Sequence, residues 1–152
     1  ACGFQITAIT IDPSGIGEGY VAYNTGTVIE GEVAQKAALV SASGLVADYL
    51  LALQSGKKRL DDVFLGHFND QDNARRYIGL SGEAGSFDDY MFVSMAFLKE
   101  NWMFVRTIAE VLKGVSSINP DALNLEQFPL LPVDWQQRLK TAMSLRKAED
   151  EA

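Results

Sequence analysis

The hydrophobic period changes near Lys36, and no other feature constrains the fold of this chain as strongly. From Phe4 to Ala34 apolar residues recur at every second position, the repeat of strands. From Lys36 onward they recur about every 3.6 positions, the repeat of helices. A chain that keeps strands at one end and helices at the other builds an α+β domain rather than an alternating α/β one. The 152 residues, 47% hydrophobic and 22% charged, suffice for one domain burying roughly two thirds of its unfolded surface. The expectation is a single compact domain over residues 1–152. Residues 1–35 are read as a three-stranded antiparallel β-meander and 36–152 as mostly helical.

Within the meander, Phe4, Ile6 and Ala8 share one face, and Ile9 and Ile11 lie on the other. A strand apolar on both faces suits the middle of a sheet. Pro13, Ser14, Gly15, Gly17 and Gly19 break it, and Tyr20 to Tyr23 forms the second strand. Asn24-Thr25-Gly26 is a tight-turn signal, and Thr27 to Ala34 reads as the third strand, with Ile29 and Val33 opposite Glu30 and Glu32. Beyond it, Leu39, Val46, Leu50 and Leu53 form a helical stripe opposite Asp48, ended by Ser55-Gly56. Leu60 to Phe68 fits a short helix or a strand. Asn69 to Asn73 reads as a polar turn and Gly79 to Gly85 as a glycine-rich loop. Ser86 should cap a long helix with Asp88 and Asp89 in its first turn, running to Gly114 with a break at Lys99-Glu100-Asn101. Tyr90 to Leu98, apolar nearly all round, is the expected centre of the fold. Asn119-Pro120-Asp121 opens a short helix, and Asp134 to Glu149 forms the last one, docking through Trp135, Leu139 and Met143.

The net charge of −7, from 20 acids against 13 bases, opposes nucleic-acid phosphates and anionic membranes. One cysteine, Cys2, excludes an internal disulfide framework. The most apolar run, Tyr90 to Leu98, falls well short of the ~20 residues that span a bilayer, and no signal peptide is visible. A cytoplasmic or otherwise soluble intracellular protein is expected, with no membrane segment.

Few residues carry recognisable chemistry. Asp12, in Asp12-Pro13-Ser14-Gly15, suits the first position of a turn, and equally a carboxylate at the mouth of a sheet. Gly15-Ile16-Gly17-Glu18-Gly19 is followed by a strand instead of the helix that phosphate-binding loops need, and it has no nearby lysine. His67 is the sole histidine, which leaves a zinc set only carboxylates to add, and no Gly-x-Ser-x-Gly elbow exists for a triad. Its structural reading is a partly buried ring beside Phe64 and Phe68. The pairs Asp61-Asp62 and Asp88-Asp89 suit helix N-termini, and with Asp12 they could bind magnesium. Met91, Phe92, Met95, Phe97, Trp102 and Phe104 form an aromatic-rich set covering more than one helix face.

The run Ile9-Thr10-Ile11-Asp12-Pro13-Ser14-Gly15, with Gly19-Tyr20-Val21-Ala22 and Glu30-Gly31-Glu32-Val33, resembles ribonuclease H-like nucleases of the Holliday-junction resolvase and phage terminase-nuclease type. Residues 4–34 carry the resemblance, and Ser86-Phe87-Asp88-Asp89-Tyr90 is similar to the acid pair that opens a later helix in that family. The resemblance implies a magnesium-dependent nuclease acting on DNA, with Asp12, Asp88 and Asp89 as catalytic metal ligands. Val63-Phe64-Leu65-Gly66 lacks the glutamate that the family carries on its fourth strand.

The residues read on their own predict a non-enzymatic module for protein association or assembly, working as a homo-oligomer, of a size and character that suit a virus-structural component. It needs no cofactor. Trp102, Phe104 and Trp135 are the expected interface anchors, since aromatics dominate such contacts. The magnesium nuclease is the first alternative. A small-ligand domain with a pocket near Gly15 to Gly19 is the second.

Overall fold

The computed structural model of the chain describes residues 2–10, 20–26, 28–56, 60–115, 117–119, 121 and 127–151. The chain divides into two compact units, each discontinuous in sequence. One comprises Ala1–Gly26 with Asn101–Leu130, and the other Thr27–Glu100 with Leu131–Ala152. The architecture is α+β, with a three-stranded antiparallel sheet and six helices among the described residues.

The first unit holds the sheet. Strand β1 (Gln5–Thr10) lies between β2 (Tyr20–Asn24) and β3 (Ser117–Ile118), so the segment expected at the middle of a sheet is there. Ile6 pairs with Tyr23 and Ala8 with Ala22, and the register shifts between them. This bulge places an extra residue, Thr7, on β1. Phe4 stacks on Tyr23 at 5.4 Å between ring centroids, closing the open end of the hairpin. The Asn24 side chain then accepts the Gly26 N–H at 2.9 Å, and Gly26, at φ 91, takes a conformation that a side chain would disfavour. Helix α5 (Trp102–Val115) belongs to the same unit and leads directly into β3, which pairs Ile118 with Ile9.

The expected third strand, Thr27 to Ala34, does not form. Residues 28–30 have no regular structure, and helix α1 (Gly31–Ser55) begins where the strand should continue. Ile29 and Val33 are four residues apart, a spacing that satisfies both periods. The helix prevails because Val33 is followed by buried Ala34, Ala37 and Ala38, and because Glu32 pairs with Lys36 at 2.7 Å, one turn on. The third strand of the sheet is instead the two-residue β3.

The second unit is a helical bundle around α1, which buries eleven residues and packs against α3 (Phe68–Ser81) and α4 (Phe87–Glu100). Its contact face carries small residues (Ala34, Ala37, Ala38, Ser41, Ala42), which let neighbouring backbones approach closely. Leu45, Val46 and Leu50 fill the remaining space. Along the predicted stripe Leu39, Val46 and Leu50 are buried, whereas Leu53 is exposed and Ala52 takes the inner position in the last turn. Gly56 stops the helix at φ 62, its N–H returning to the Ala52 carbonyl at 2.9 Å. With 25 residues and a mean hydropathy of 1.4 in its most apolar window, α1 is long and apolar enough to cross a bilayer, although half of that window is buried inside the bundle. It is therefore a longer apolar segment than Tyr90–Leu98, the one singled out from sequence.

Residues 60–66 form helix α2, which settles the ambiguous segment. The expected polar turn Asn69–Asn73 lies inside α3, where Gln71 is buried and its Nε2 donates to the Phe64 carbonyl at 2.8 Å. Asn and Asp favour turns and helix starts alike, and here they make the first turns of a helix. Helix α3 reaches Ser81, so the glycine-rich loop shrinks to residues 82–86. Helix α4 breaks at Asn101, as predicted. It buries only one face (Phe87, Tyr90, Val93, Ser94, Leu98) and leaves Phe92 exposed. Helix α6 (Trp135–Asp150) docks on α4 through Trp135, Leu139 and the partly buried Met143, as the spacing predicts.

Candidate functional site

The clearest polar construction in the helical unit is built where α4 begins. Ser86 precedes the helix, and its N–H and Oγ–H both donate to Asp89 Oδ2, at 2.7 and 2.9 Å. The Asp89 N–H returns to Ser86 Oγ at 3.4 Å, completing a reciprocal cap. Arg146, on α6, grips the same carboxylate: its Nε lies 3.2 Å from Oδ1 and its Nη2 3.2 Å from Oδ2. Burial acts to raise the Asp89 pKa, but the guanidinium and the Ser86 donors outweigh it and hold the carboxyl below its ordinary 3.8. Asp89 is thus a structural anion that ties the start of α4 to α6. Both of its oxygens accept hydrogen bonds from neighbouring protein groups.

Beside it, Tyr90 is fully buried and its hydroxyl makes no hydrogen bond among the described residues. Burial pushes the phenol above its ordinary value; the neighbouring Ser81 hydroxyl opposes this and Glu83 and Asp89 reinforce it. Ser81 Oγ already donates to the Ile78 carbonyl at 2.7 Å and accepts the Glu83 N–H at 3.2 Å. On the surface nearby, Ala84, Met143, Ser144, Arg146, Lys147 and Asp150 line an open depression of about 410 Å³. It is shallow, and its arginine is already engaged by Asp89.

His67 is partly buried between α2 and α3, as expected, but Phe64 and Phe68 on either side of it are exposed. Its ring spans two carboxylates, with Nδ1 2.8 Å from Asp70 Oδ2 and Nε2 3.5 Å from Asp48 Oδ2. Tyr49, next to Asp48 on α1, meets the Phe64 ring edge-on at 6.2 Å.

In the sheet unit, α5 is strongly amphipathic. Phe104, Val105, Ile108, Val111, Leu112 and Val115 lie on one side, and Arg106, Glu110 and Lys113 on the other, with Lys113 Nζ 2.7 Å from Glu110. None of the helix's fourteen residues is buried. Met103 is 73% exposed and Val111 47%. Phe104 meets Phe128 edge-to-face at 4.8 Å between ring centroids.

The residues nominated from sequence therefore have different fates. Asp12 and the glycine loop Gly15–Gly19 lie outside the described residues, as does most of the short helix expected at Asn119-Pro120-Asp121. Asp88 is exposed on the first turn of α4, and Asp89 is taken by Ser86 and Arg146. Among the described residues, no three His, Cys, Asp or Glu side chains come together in a way that could hold a metal ion. Trp102 and Phe104 are half-buried on α5. Trp135 is only 6% exposed and belongs to the bundle core, so it cannot act as a surface anchor. Sequence reasoning missed Arg146, which stands 57 positions from Asp89, and it missed Asp48 as a partner of His67. Comparison of the chain with protein-family models, curated proteins and solved structures finds no match.

Proposed function

We propose that this chain is a non-enzymatic association module that works as a homo-oligomer, with α5 as its principal contact surface. The observation that carries this reading is the apolar side of α5, on which no residue is fully buried, Phe104, Val105, Ile108 and Leu112 are half-buried and Val111 and Val115 are exposed. Val105, Ile108, Leu112 and Val115 repeat at intervals of three, four and three, the seam spacing of helices that pair lengthwise. Phe104 and Val111 widen that seam, and Trp102 adds an aromatic at its start. A second copy of the chain offers the same apolar strip, so two α5 helices can cover one another. The burial of α1 at the centre of a bundle supports reading it as a core helix of a water-soluble protein, despite its length and hydropathy.

Light-scattering mass of the eluting protein tests the reading. Wild type is expected to elute as an integer multiple of the chain mass. Val111→Lys, which places a charge on the exposed apolar side without touching the bundle core, is expected to elute as the monomer with an unchanged helix signal. A wild-type monomer at every concentration would sink the proposal.

A further inference from the structure

We draw no further inference here: the strongest candidate, the patch of exposed apolar side chains Phe64, Leu65 and Phe68 at the α2–α3 junction, carries none because nothing in the structure shows what covers it.

Discussion

At the scale of single residues, two buried side chains of α4 differ in how their polar atoms are satisfied. Asp89 receives donors from Ser86 and Arg146, and removing the arginine leaves a buried carboxylate with the Ser86 donors alone. Arg146→Met is therefore expected to destabilise the chain by about 2–3 kcal/mol, read from denaturant unfolding near neutral pH. Because the Asp89 carboxyl is held below its ordinary value, its contribution is fully present above that value and is lost as pH falls through the folded one. The variant should accordingly show a flatter loss of stability in acid than wild type. Tyr90 is the opposite case, a buried hydroxyl with no hydrogen bond among the described residues. Tyr90→Phe removes an unsatisfied group and little volume, so it should be neutral or stabilising by up to about 1 kcal/mol. A loss of 2 kcal/mol or more would show that the hydroxyl has a partner.

At the scale of elements, α1 organises the bundle because its small residues let two other helices approach. Ala38 is fully buried in the core it shares with α3 and α4. Ala38→Leu should cost about 1–3 kcal/mol in unfolding free energy, whereas Leu53→Ala, on the exposed side of the last turn, should change stability by less than about 0.5 kcal/mol. The ends of elements were legible where one residue dictates backbone geometry. Gly56 stops α1 in the left-handed region, and Ser86 with Asp89 starts α4. The central place of β1 was legible from its two apolar faces. The third strand was not, because the Ile29–Val33 spacing serves either period and the buried alanines after it favour the helix. Nor was β3 legible, since two residues are too few to show an alternation. The polar run 69–73 misled for a physical reason: the residue types that make turns also make the first turn of a helix. Of the candidate sites, the Ser86–Asp89 cap could be read locally. The Asp89–Arg146 and Asp48–His67 pairs join distant helices and depend on tertiary packing.

At the scale of the whole molecule, the two compact units present different surfaces. The helical unit encloses its aromatic anchor Trp135 together with Tyr90 and Leu139. The sheet unit carries α5, on whose apolar side Phe104, Val105, Ile108 and Leu112 are half-buried and Val111 and Val115 are exposed. The net charge of −7 makes copies of the chain repel one another, so the proposed self-association has to come from apolar burial on α5 and is expected to strengthen with added salt. The most direct measurement is sedimentation equilibrium of the wild-type chain across a hundredfold range of concentration, with Val111→Lys run alongside. A reversible monomer–oligomer equilibrium is expected in wild type and a monomer throughout in the variant. A wild-type chain that stays monomeric across the range, or a variant that assembles as wild type does, would contradict the assignment of α5 as the contact surface.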